Sequence, residues 1–279
     1  MTSTASFVRI ADVAHHVVVE GSGPVCVLAT GLGLSWFDWD PVVPLLTPHR
    51  TVVRFDRPGH GLSQPAAGPV TAAGEADRIA ALLDALGHGA EPVTLVGHSI
   101  AGFHTEAFAR RHPARTAGLV LVDSSVESAD DRPRASRTAP ALARALGATL
   151  CATGIPAAFG PLLRRVAIRD DPAAPALVRR VYGTSRVLRG TLDENAHYGA
   201  VAAQLLALRA THPLPPGLPV TVLAAPNGSA RRERRQRALA RRLGARYEAA
   251  EPSGHLVMLD RPDAVARAVL GTGHRGEAA

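Results

Sequence analysis

Val93-Thr94-Leu95-Val96-Gly97-His98-Ser99-Ile100-Ala101-Gly102 is an apolar, β-branched run thrown into a sharp turn with a serine at its apex. Val93 to Val96 reads as a buried strand. Gly97 breaks it, and Gly102-Phe103-His104-Thr105-Glu106-Ala107-Phe108-Ala109 can continue as a helix. A strand-to-helix elbow this tight holds its central serine in a strained conformation, so the residues two positions either side must be small. Here they are Gly97 and Ala101. Glycine is usual at both places, and alanine still adds no bulk.

Working outward from the elbow, apolar strand candidates recur at residues 7–10, 14–20, 25–29, 51–55, 93–96, 119–122, 220–224 and 245–248. Helical patterns lie between several of them. Ile79, Leu82, Leu83 and Leu86 fall at i, i+3, i+4 and i+7, with Gly87 where a C-terminal cap belongs. Alternating strands and helices predict a mostly parallel, eight-stranded sheet covered on both faces, its first two strands an antiparallel hairpin. Such sheets bind ligands beyond the carboxyl ends of their strands. Ser99, Thr30-Gly31-Leu32 and Asp123 all fall at such ends. From about residue 128 the strand signal stops, and short amphipathic stretches are broken by Pro156, Pro161, Pro172 and Pro175. The expected organisation is a core of residues 1–128 and 214–279 with a helical lid inserted at 129–213, and a flexible tail at 271–279.

Composition narrows the chemistry. The chain of 279 residues contains no lysine, which excludes Schiff-base chemistry and any Ser-Lys dyad. Much of the +7 net charge sits in an arginine-rich stretch, residues 230–243. There Leu239 and Leu243 form an apolar stripe and no aromatic residues interleave for base stacking, so a solvated helix face is expected and no nucleic-acid partner. No run approaches the roughly 20 apolar residues of a membrane span. The first residues lack the basic start and apolar core of a signal peptide, which points to the cytoplasm. Cys26 and Cys151 lie far apart without metal-type spacing. No metal, no cofactor and no phosphate-cradling loop is expected, and the oligomeric state is not legible.

With the elbow and this element order in view, the chain resembles the α/β-hydrolase superfamily over nearly its whole length. Asp56-Arg57-Pro58-Gly59-His60-Gly61-Leu62-Ser63, after the fourth strand, is similar to the family's Asp-x-x-Gly-x-Gly-x-Ser turn. There the glycines would let a tight loop pass close to the nucleophile. Thr30-Gly31-Leu32-Gly33 stands where the family usually has His-Gly. Ser253-Gly254-His255, followed by Pro262-Asp263-Ala264-Val265, looks like the terminal Gly-His and closing helix.

The resemblance implies a nucleophile, a base and an acid. A serine hydroxyl is too weakly acidic to attack unaided, so Ser99 needs a neighbouring base. His255 holds the family's position for one, and neutral imidazole can take the proton and return it to the leaving group. His60 and His98 read as turn residues. The acid usually follows the seventh strand, but that strand runs into Ala224-Ala225-Pro226-Asn227-Gly228-Ser229, without a carboxylate. Some family members place it after the sixth strand, where this chain has Asp123, preserving the order Ser, acid, His. Glu127 is the alternative, and a Ser-His dyad a third. The oxyanion hole would consist of the Leu32 and Ile100 amides. Trp39 reads as packing, whereas Trp36, Phe159 and Tyr198 are candidates to meet substrate.

Two functions follow. The first is serine hydrolysis of an ester, lactone or thioester of a mainly apolar small molecule through an acyl-enzyme. Serine at the elbow argues against dehalogenase and epoxide-hydrolase chemistry, which uses aspartate there in this family. The second keeps the fold without hydrolysis, as a ligand-binding protein or a cofactor-free lyase or cyclase.

Overall fold

A computed structural model describes residues 4–127, 164, 167–169 and 172–272. Eight strands form one sheet: β1 Thr4–Ile10, β2 Val13–Gly21, β3 Val25–Ala29, β4 Thr51–Phe55, β5 Val93–His98, β6 Thr116–Val122, β7 Val220–Ala224 and β8 Arg246–Ala249. Their order is β1-β2-β4-β3-β5-β6-β7-β8. β1–β2 and β2–β4 are antiparallel, and every other pairing is parallel. The central strands are apolar on both faces because both are covered, which is why they read as runs rather than as alternations.

Successive residues point to opposite sides of a strand. Val27, Val53, Leu95 and Leu119 therefore enter one core with α1 (Ala72–Ala85) and α2 (Ala101–Arg111). Leu28, Val52, Val96 and Val120 enter the other with Trp39, Val257 and α6 (Pro262–Gly271). Ile79, Leu82 and Leu83 of α1 are buried, as their spacing predicts, and Gly87 takes a φ of 83° just past the helix end. Cys26 is fully buried in the second core, and burial pushes its thiol pKa up to about 12.

Between β6 and β7 lie α3 (Pro175–Tyr182) and α4 (Ser185–Thr211), the latter one unbroken helix. Residues 128–163, with Phe159 and most of the expected lid's first half, fall outside the described residues, as do residues 273–279 of the tail. α5 (Ala230–Leu243) starts on the Ser229 side chain, buries Leu239 and Ala240, and turns most of its arginines outward. Among the described residues no helix is long and apolar enough to cross a membrane.

The order of strands fixes the site. The chain leaves β3 toward β4 on one side and returns to β5 on the other, so β3 and β5 are neighbours whose outgoing loops part. A crevice at the carboxyl ends of such strands is the topological switch point where open sheets bind ligands. The loops that open there carry Gly31 and Ser99.

Candidate active site

Ser99 follows β5 with φ 53°, left-handed backbone that a non-glycine residue adopts only under constraint. The constraint is visible on all sides. The Ser99 amide donates to Val122 O at 3.1 Å, and Ser99 O accepts from the amides of Gly102 and Ser125, each at 3.0 Å. A Cβ on Gly97 would lie 2.3 Å from Thr105 Oγ1, and one on Gly102 would lie 2.0 Å from Ser124 Oγ. Ala101, between them, is fully buried without a clash, so the departure from glycine is accommodated.

Three side chains from three loops line up beyond the sheet. Ser99 Oγ lies 3.0 Å from His255 Nε2, and His255 Nδ1 lies 2.6 Å from Asp123 Oδ2. A carboxylate only accepts, so Nδ1–H donates to Asp123 and Nε2 is left to accept from the serine hydroxyl. Asp123 is held from behind: its amide donates to Leu223 O at 2.7 Å and its Oδ1 accepts from the Ala225 amide at 3.1 Å. Glu127 is engaged elsewhere, its Oε1 accepting from Arg209 and Arg242. The loop carrying His255 is anchored by buried Asp260, which accepts from the Gly254 amide at 2.7 Å. His98 Nε2–H donates to His255 O at 2.8 Å. Burial, then the neighbouring His255 and Arg57, hold the His98 pKa well below its ordinary value, so that ring is neutral.

The proposed oxyanion donors belong to the loop after β3 and to the residue that follows the serine. Among the described residues neither the Leu32 nor the Ile100 amide is engaged by an acceptor. A Cβ on Gly31 would come 2.6 Å from His98 Nδ1 and 3.0 Å from Ser99 Cβ, so only glycine lets that loop lie against the nucleophile.

The turn after β4 works differently from its sequence reading. A Cβ on Gly61 would fall 2.0 Å from the Asp56 carboxylate, and one on Gly190 of α4 would fall 2.8 Å from Gly59 O. The glycines therefore admit the Asp56 side chain and a helix of the inserted segment, not the nucleophile. Asp56 accepts from Ser35 Oγ at 2.7 Å and from the amides of Trp36 and Leu62 at 3.0 Å.

A cavity of about 510 Å³ opens beside His255, and Asp123, Tyr198, Arg231, Arg232 and Gln236 contribute to its wall. Tyr198 is thus placed at the site, its ring 5.7 Å from that of Phe103. Trp36 is not in that wall; it packs edge-on against His16 and Phe37. The described wall is more polar than the mainly apolar pocket expected from the sequence, and Phe159 lies outside the described residues. A second cavity of about 460 Å³, between the Asp56 turn and α4, contains none of Ser99, His255 and Asp123. His255 and Asp123 line the first cavity, which is therefore the one that adjoins the candidate site.

Sequence reasoning missed Arg57 and Glu194. Arg57, 3% exposed, donates through Nη2 to Gly31 O at 2.9 Å and through Nη1 to Thr30 O. It thereby ties down the main chain of the Thr30-Gly31 loop. Its partner Glu194 lies 137 residues away on α4, a separation no local pattern bridges.

Comparison with known proteins agrees with the fold. Residues 26–268 match the model described as the alpha/beta hydrolase family. A pimeloyl-[acyl-carrier protein] methyl ester esterase of Chromobacterium violaceum is 31% identical over 62% of this chain and 61% of its own length. A fluoroacetate dehalogenase of a Burkholderia species is 34% identical over 42% of this chain and 39% of its own. The matches span between 30% and 61% of the lengths of the curated relatives. The structure of ALR0039 from Nostoc sp PCC 7120 superposes with a TM-score of 0.77 at 19% identity, covering 98% of both chains.

Proposed function

From the premise that the chain belongs to the alpha/beta hydrolase family, we propose that it hydrolyses a small carboxylic ester, lactone or thioester through an acyl-enzyme on Ser99. The observation that carries this reading is the continuous hydrogen-bonded chain from Ser99 Oγ through His255 to Asp123. Ser99 Oγ attacks the substrate carbonyl carbon as its proton passes to His255 Nε2. Asp123 stabilises the resulting imidazolium and fixes its tautomer. The Leu32 and Ile100 amides receive the negative oxygen of the tetrahedral intermediate, the position where preorganised donors act most strongly. His255 then returns the proton to the leaving oxygen or sulfur, and the acyl group stays on Ser99. Water, deprotonated by the same Nε2, attacks the acyl carbon, and the carboxylic acid leaves as Ser99 regains its proton.

Among relatives, the esterase name supports ester chemistry. The dehalogenase name is outweighed by the residue at the elbow, since a serine that displaced a halide would be left as an ether, which water does not cleave, whereas an aspartate is left as a hydrolysable ester. Tyr198 with Phe103 behind it offers an aromatic wall for the substrate's apolar part, and Phe159 is proposed to add to it. Treatment with a fluorophosphonate probe, with Ser99→Ala as control, tests the reading. Labelling confined to the wild-type serine supports it, and absence of labelling together with absence of p-nitrophenyl ester or lactone turnover refutes it. In that event a non-hydrolytic role on the same fold takes its place.

A further inference from the structure

Arg57 is a buried cation that the acyl-transfer steps leave unused. Its guanidinium is shared between Glu194 and the Thr30-Gly31 main chain. Nε and Nη2 donate to Glu194 Oε1 and Oε2 at 2.9 and 2.8 Å, a bidentate pair. Nη2 also donates to Gly31 O at 2.9 Å, and Nη1 to Thr30 O. Gly31 O belongs to the same peptide unit as the Leu32 amide. That unit is planar and trans, so its N–H points opposite to its C=O. Gly31 O also accepts from the Leu34 amide at 3.2 Å, and the shorter, charged Arg57 contact joins that turn bond in setting the direction in which the Leu32 N–H points. A cation on the carbonyl oxygen also draws electron density from the nitrogen, and hydrogen bonds joined in this way strengthen one another.

We propose that Arg57 is a positioning residue of the oxyanion hole: braced by Glu194 of α4, it aims and polarises the Gly31–Leu32 peptide toward the oxyanion formed at Ser99. The inference rests on the acyl-enzyme reading above and adds to it a link between the inserted helices and the reacting centre. Glu194 is 1% exposed, and His60 Nε2 stands 3.3 Å from its Oε2, so the brace is itself enclosed. Burial disfavours the Arg57 charge, but the Glu194 carboxylate outweighs it and raises the Arg57 pKa. Burial likewise opposes the Glu194 charge, and Arg57 followed by His60 holds that carboxyl well below the usual range. A purely structural pair predicts something different. Buried ion pairs are often replaceable at little cost in stability, so their mere presence would leave the chemical step untouched in any variant that folds.

The test compares wild type with Arg57→Lys, Arg57→Met and Glu194→Gln on a p-nitrophenyl ester. Readouts are kcat, KM, affinity for an alkyl boronic acid that forms a tetrahedral adduct on Ser99, and affinity for the carboxylate product. Losing an oxyanion donor outright costs about 10²–10³-fold in kcat, so mis-aiming one should cost about tenfold to a hundredfold in Arg57→Met. Arg57→Lys should recover part of that, and Glu194→Gln should lose less. KM and product affinity should stay within about twofold, while boronate affinity falls in step with kcat. Glu194→Gln preserves the shape of the pair and serves where an Arg57 variant does not fold. Unchanged kcat in folded variants, or a fall shared equally by product affinity, overturns the proposal while the acyl-enzyme reading stands. A wild-type enzyme without Ser99-dependent turnover overturns both.

Discussion

The loops leaving β6 and β7 are built alike and hold opposite chemistry. Each turns through a left-handed non-glycine residue, Asp123 at φ 37° and Asn227 at φ 46°. Asp123 is 4% exposed and reaches His255, whereas Asn227 stands in solvent. The β7 loop nevertheless takes part through its main chain, since the Ala225 amide donates to the second oxygen of Asp123. The strand end where family members usually keep the acid thus contributes a donor to an acid seated one strand away. A carboxylate's place in such a site is decided by burial, by a second hydrogen-bond donor and by reach to the base, and only the β6 loop offers all three.

Experiments can break that comparison, beginning with the serine that both arrangements would serve. Ser99→Ala should abolish turnover while leaving the fold intact, measured as ester hydrolysis beside a thermal melt. Near-normal rates would remove the reason for asking where the acid sits. Next, Asp123→Asn should lower kcat by about 10⁴-fold, the scale seen when a triad aspartate becomes asparagine, with KM little changed. Adding Asn227→Asp to that variant should recover nothing, because residue 227 is exposed. Recovery of more than a few-fold would mean the two loops are interchangeable seats.

A smaller effect concerns stability and pH. His98 supports the His255 main chain while remaining neutral, and burial likewise lowers the pKa of His15 and His104. Groups whose native pKa lies below the unfolded value near 6.5 leave the unfolded state binding more protons. Stability is then complete above about pH 6.5 and falls below it, by at most about 1.4 kcal/mol per pH unit for each group. Glu194, held low, adds a further loss only below its ordinary value of 4.5. Denaturant melts from pH 8 to 5 should show the first slope, and His98→Gln should remove about one proton's share of it. The smallest change should come from Asn227→Ala: unaltered kcat and a loss of about 1 kcal/mol or less, since asparagine tolerates left-handed backbone better than alanine.

Much of this was legible in residues that act where they stand. The eight strands, the elbow and the helix ending before Gly87 follow from periodicity and from glycine, which report local geometry directly. Asp123 could be placed because the expected acid was missing from a short, readable stretch after β7. Arg57 and Glu194 could not, since each is an ordinary member of its own segment, a turn arginine and a helical glutamate. Their meaning arises when folding joins segments 137 residues apart. The turn glycines misled for the same reason: the turn at Gly59 packs against Gly190 of α4, where a Cβ would meet Gly59 O at 2.8 Å. Trp36 likewise found His16 of β2, an aromatic neighbour 20 residues earlier that sequence order does not announce.

The left-handed backbone at Ser99 and Asp123 sets thermal selection against activity. Each of these residues forgoes about 1–2 kcal/mol relative to relaxed backbone, and glycine at either position would relieve it. A library screened only for heat resistance should therefore accumulate glycine at 99 and 123, the two substitutions that would silence the proposed chemistry. Any programme to harden this protein has to select for turnover at every round, because the polypeptide gains stability most easily by discarding the residues it strains to present.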